Sequence, residues 1–127
     1  MANMLREGSS FLAQAQKAHA SSPVTFKRDE DTVDVQAVIG RTEFQFQDSD
    51  GNTVTFQSRD YLILTADLVL GGNEVTPRAG DKILEVAGTT TFTYEVQSPD
   101  GGDVWKYSDP FRQVRRIHTK LIKTEVA

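Results

Sequence analysis

From Val24 onward, apolar and polar residues alternate with a period of two, the pattern of half-buried β-strands. Val33, Val35 and Ala37 form one such run, Phe44 and Phe46 another, Val54 and Phe56 a third. Asp50-Gly51 sits in the polar tract between the last two and predicts a hairpin turn. Residues 61–70 (YLILTADLVL) are almost continuously apolar, which predicts a strand covered on both faces or a strand entering a short turn. Lys82 to Val86 and Thr91 to Gln97 predict a second hairpin about Ala87-Gly88, and SPDGGD (98–103) a third turn. Beyond it, Val114, Arg116 and His118 alternate with Arg115, Ile117, Thr119 and Leu121, as in a long strand. Pro110 biases Asp109 away from helix and predicts a turn before that strand.

Ahead of Val24 the period is different. Met4, Leu5, Phe11, Leu12, Ala15, Ala18 and His19 recur at steps of three and four, predicting a helix over 4–20 that Ser21-Ser22-Pro23 ends. Its narrow stripe, with Leu5, Phe11 and Leu12, is expected to dock on the sheet or on another subunit. The expected architecture is one mainly β domain over 1–127: the helix 4–20, then a small β-barrel or sandwich of about seven short antiparallel strands over 24–122. The loop 70–80 (LGGNEVTPRAG), containing Gly71, Gly72, Asn73, Glu74, Pro77 and Arg78, is expected to project and to be mobile.

Charge sharpens this reading. The chain has 127 residues and a net charge of −4. Yet Lys106, Arg112, Arg115, Arg116, Lys120 and Lys123 cluster in 104–123 with Asp109 as the single acid, leaving eight cations against 17 acids elsewhere. A free-standing nucleic-acid binder has the opposite sign, because it must displace counterions from phosphates. Cysteine is absent, so no disulfide, thiolate metal site or thiol nucleophile exists, and a reducing cytoplasm is expected. No apolar run approaches the roughly 20 residues that a membrane-spanning helix needs, and the N-terminus lacks the apolar core of a secretory signal.

Candidate chemistry is sparse. Asp48, Asp50 and Asn52 have calcium-loop spacing, but the twelfth loop position is Arg59 where an acid is needed, and a plain hairpin tip explains Asp-Gly. His19 and His118 lack a second strong ligand nearby. Asp29, Glu30 and Asp31 read as a solvated turn, and His118 as a surface or interface residue before a general base. Nucleophile-elbow, zinc-protease and phosphate-loop motifs are absent. No enzyme, metal or cofactor is expected. Trp105, Tyr107 and Phe111 among cations could stack single-stranded nucleic acid, but alternation puts Trp105 and Tyr107 on one face, Lys106 on the other, and SDP breaks the strand. Alternatively Trp105 and Tyr107 cover the core while the arginines form ion pairs.

Three segments in order, SRDYLILTADLVLGG (58–72), VTPRAGDKILEVAGTTTFTYEV (75–96) and WKYSDPFRQVRRIHTK (105–120), resemble the head–tail connector proteins of tailed bacteriophages. These are also called head-completion, stopper or head–tail joining proteins. Pro77, Gly80, Asp81, Tyr94 and Val96 carry the turn and following hairpin of that resemblance, and the first half of the chain matches only in layout. The resemblance implies a non-enzymatic virion protein of the neck, assembled in the host cytoplasm. It would form a ring of six or twelve copies below the portal or an adaptor, help retain packaged double-stranded DNA passing through the lumen, and offer the tail-side protein a docking surface. Arg112, Arg115, Arg116 and Lys120, with Leu5, Phe11 and Leu12, would then face neighbouring subunits, while Trp105, Tyr107 and Tyr94 anchor strands to the core. Another phage ring protein, such as a tail terminator or minor tail protein, and a small single-stranded nucleic-acid-binding barrel stay open on the sequence alone.

Overall fold

The computed structural model describes residues 21–127, so the expected helix 4–20, with Leu5, Phe11 and Leu12, lies outside the described residues. The strands are β1 (Ser22–Arg28), β2 (Asp31–Gln47), β3 (Thr53–Leu64), β4 (Val69–Leu70), β5 (Asn73–Glu74), β6 (Lys82–Ala87), β7 (Thr90–Val96), β8 (Trp105–Tyr107) and β9 (Val114–Val126). Seven of them form one antiparallel sheet in the order β3-β2-β1-β6-β7-β9-β8, and β4 and β5 pair separately.

The long strand expected from Val114 onward is β9, but a second long strand was not expected. The alternating runs at 33–37 and 44–46 belong to one 17-residue strand, β2. It stays continuous because it changes partner: 31–37 pair with β1, and 38–47 pair with β3 on the other edge. β9 does the same, pairing with β3 over 114–119 and with β7 over 119–126. Such exchange bends the sheet strongly without needing a second one. The expected barrel or sandwich is corrected accordingly. β3 curls round to β9 over 59–64 only, and β1 meets β6 over only three residue pairs. Away from those short seams the strands diverge and keep free edges among the described residues, so there is neither a fully closed barrel nor a pair of stacked sheets.

The concave side holds the main core. Val24, Phe26, Val35, Ala37, Tyr61, Ile63, Leu68, Leu70, Ile83, Val96 and Ile117 bury together, with Tyr94, Val104 and Trp105 packed at their margin. Each full apolar side chain removed from water here contributes about 1.5–3 kcal/mol. Val38, Leu62 and Val114 form a smaller cluster on the alternate residues of β2, β3 and β9, the opposite face of the same strands. Turn chemistry follows the sequence. The β2–β3 tip is closed by Asp48, whose Oδ1 accepts the amides of Asp50 and Asn52 at 2.9 Å each, while Gly51 supplies φ +81°. That carboxylate is committed to backbone, which explains the spacing without calcium.

Candidate functional site: the basic strand and its neighbours

Asp109, the single acid of the basic stretch, does not pair with its cations. Its Oδ1 accepts the amides of Gln113 (2.9 Å) and Val114 (2.8 Å), and its Oδ2 that of Phe111 (3.1 Å). It thereby shapes the turn that lets β8 fold back on β9, with Trp105 opposite Ile117, Lys106 opposite Arg116 and Tyr107 opposite Arg115.

Arg115 is buried, at 5% exposure. Its guanidinium lies 4.6 Å from the Trp105 ring centroid and 5.8 Å from that of Tyr107, and Nη1 donates to the Val75 carbonyl at 2.8 Å. The two rings meet edge to face at 4.9 Å. Trp105 packs on the main core, whereas Tyr107 and Phe111 remain exposed. The aromatic pair therefore already holds a cation of its own chain, which opposes its use as a platform for stacked bases.

Arg116 also turns inward. Its Nη1 donates to Asp60 Oδ2 at 2.9 Å, and Asp60 is fully buried. The Thr42 hydroxyl donates to the same oxygen; Oδ1 accepts Ser58 Oγ–H at 2.6 Å and His118 Nδ1 at 2.9 Å. Burial alone would raise the Asp60 pKa, but the donors, His118 first, then Ser58, Thr42 and Arg116, bring it down to about 2. Gly40 makes room for the arginine: a Cβ there would stand 3.4 Å from Arg116 Nη1. Phe44 closes the cluster, its ring edge to face with His118 at 5.4 Å.

Ser58, His118 and Asp60 invite comparison with a catalytic triad, and the geometry differs where it matters. Ser58 Oγ and Asp60 both contact the same ring nitrogen, Nδ1, the serine at 3.3 Å. The serine proton is donated to Asp60. A nucleophile needs the other ring nitrogen as its base, so this arrangement braces three strands and does not activate a hydroxyl. His118, expected at a surface or interface, is corrected to a buried member of this brace.

The structure thus separates the expected interface cations. Arg115 and Arg116 are engaged within the chain, because their acceptors come from distant strands and loops. Arg112 (φ +58°) and Lys120 are exposed and make no side-chain hydrogen bond or ion pair among the described residues. Among the described residues Lys123 pairs with Glu125 alone, at 3.3 Å on the surface.

Hydrogen bonds tie the base of the loop 70–80 to the sheet. Gly71 and Gly72 (φ +57° and +83°) form the two-residue turn between β4 and β5. Val75 donates to Leu68 O at 2.9 Å, Arg28 Nη2 to Thr76 O at 2.7 Å, and Pro77 is buried. Asn73, Glu74 and Arg78 are exposed. Asp81 accepts Arg28 Nε (2.8 Å) and Nη2 (2.7 Å) and the Arg78 amide (2.8 Å). Gly80, at φ +96°, lets its amide reach Val96 O at 2.9 Å. Tyr94 meets Tyr61 edge to face at 5.7 Å, under the Arg59 guanidinium.

Two features had no signal in the linear sequence. One is the Asp60 brace, assembled from β2, β3 and β9. The other is an open pocket of about 560 Å³ lined by Lys27, Arg28, Arg78 and Lys82 together with Asp29 and Asp81. Cations at the end of one strand and the start of another meet only because β1 and β6 pair.

What this surface offers is charge on a braced β scaffold. The family model for phage head-tail joining proteins matches residues 2–126, and the chain belongs to that family of structural virion proteins. No curated protein matches it. Among the described residues no helix is long and apolar enough to cross a membrane.

Proposed function

We propose that this protein is a non-enzymatic ring component of the phage neck, lying between portal and tail. The observation that carries the reading is the family match over nearly the whole chain. In this role, copies of the chain associate below the portal or an adaptor, hold back the packaged DNA, and give the tail-side protein its seat. The charge distribution supports it. An acidic excess facing a lumen repels phosphates and lets duplex DNA slide, while exposed Arg112 and Lys120 remain available to acids of neighbouring subunits.

Deleting the gene from its phage tests this. Filled or leaking heads and separate tails of normal length should accumulate unjoined, and added purified protein should restore joining. Tailed infectious particles without the protein would refute the reading, and tails of uncontrolled length would assign it to tail termination instead.

A further inference from the structure

The pocket at the β1–β6 junction has an unusual charge arrangement. Lys27 and Lys82 stand directly opposite each other in the strand register, and like charges so placed are unfavourable in a sheet. Lys82 is compensated by Glu95 at 2.8 Å, and Arg28 by Asp81 at 2.7 Å. Lys27 and Arg78 are exposed and have no side-chain partner among the described residues. The pocket is therefore concave and presents two uncommitted cations on an acidic chain. Asp29, which also lines the pocket, disfavours a polyanion and leaves the two free cations in excess for a single inserted carboxylate.

The complementary shape and charge lie at the far end of β2. That strand starts at Asp31, beside the pocket, and ends at Gln47, beside the hairpin tip. At about 3.3 Å per residue its contour is roughly 50 Å. The tip residues 48–52 are exposed, and Asp50 makes no side-chain contact with a cation among the described residues. β3 leaves β9 at Arg59, so the hairpin reaches about 20 Å beyond that seam. One paired strand thus holds the acidic tip away from the basic pocket of its own chain.

We propose that the pocket formed by Lys27, Arg78 and Lys82 receives the β2–β3 tip of a second copy, with Asp50 as the inserted carboxylate. The contact joins two different faces, so it propagates from copy to copy and closes where the rotation permits a ring. It rests on the ring reading above and names the contact that builds it.

The chain lacks cysteine, so Ser49→Cys with Ala79→Cys places one thiol on the tip and one in the pocket while keeping every charge. Oxidised full-length protein, free at high concentration and in assembled particles, should give a ladder of chains whose links map by peptide mass spectrometry to 49–79. Adding Lys27→Glu and Arg78→Glu should lower that link about tenfold. Mixing this pocket variant with Asp50→Lys, each in the S49C/A79C background, should restore it, because the reversed charges again match. Particles that incorporate the protein without 49–79 links would overturn this contact and leave the neck reading intact. A ladder of 49–49 and 79–79 links would also overturn it, as would pocket reversal that weakens retention on duplex DNA but leaves the links unchanged.

Discussion

Replacing Asp60 by Asn removes the charge from the brace that joins β2, β3 and β9 while keeping its shape. The aspartate gives two oxygens to four donors: Thr42, Ser58, Arg116 and His118. An amide has one acceptor oxygen, so its NH2 group must face one pair of those donors, and the Arg116 guanidinium loses its counter-charge. Removing one partner of a buried pair costs on the order of 3 kcal/mol. The pH dependence gives a sharper test. The folded carboxyl has a pKa of about 2 against an ordinary 3.8, a difference that contributes about 2 kcal/mol at neutral pH. Because the folded value is the lower one, this contribution is complete above pH 4 and is lost as pH falls through about 2. Urea denaturation of wild type and Asp60→Asn at pH 7, 4 and 2 should therefore show a gap of about 3 kcal/mol that narrows by roughly 2 kcal/mol at the acid end. A gap that stays constant over the series would show that the brace works through shape alone and refute the electrostatic account.

Trp105→Ala should cost about 3 kcal/mol in thermal or chemical melts, because it removes core packing and uncovers the Arg115 guanidinium. Arg115→Glu should unfold the domain by circular dichroism, since it buries a carboxylate against two rings and a carbonyl, whereas Arg112→Glu should shift stability by under about 0.5 kcal/mol and act only in joining assays. Asp81→Ala should release Arg28 and the Arg78 amide and speed amide exchange through 70–80, with little change in the distant β2–β3 hairpin. Gly51→Val should destabilise the tip by about 1–2 kcal/mol, because a β-branched residue is strained at φ +81°, and amide exchange should locate the loss to the tip.

Local chemistry was enough to read the hairpins from the sequence. Asp50-Gly51 and Gly88 turn where glycine can take positive φ, and alternation in 114–121 placed Ile117 and Arg115 on one face of β9, opposite Val114, Arg116 and His118. The same period of two cannot say what lies across from a face. Arg115 and Arg116 looked like surface cations because their partners, Trp105, Val75 and Asp60, come from β8, a loop and β3. His118 read as a surface or interface residue because nothing near it in the chain hints at Ser58, Asp60 or Phe44. β2 looked like two strands because its alternation changes phase, from Val33, Val35 and Ala37 to Phe44 and Phe46, beyond the point where it trades β1 for β3, and its continuity depends on hydrogen bonds to both partners. Period and turn residues, which act over a few positions, were therefore settled by the sequence itself. Only the folded sheet decided which charges are spent inside the chain and which face outward, because burial and ion pairing depend on strands that meet from opposite ends of it.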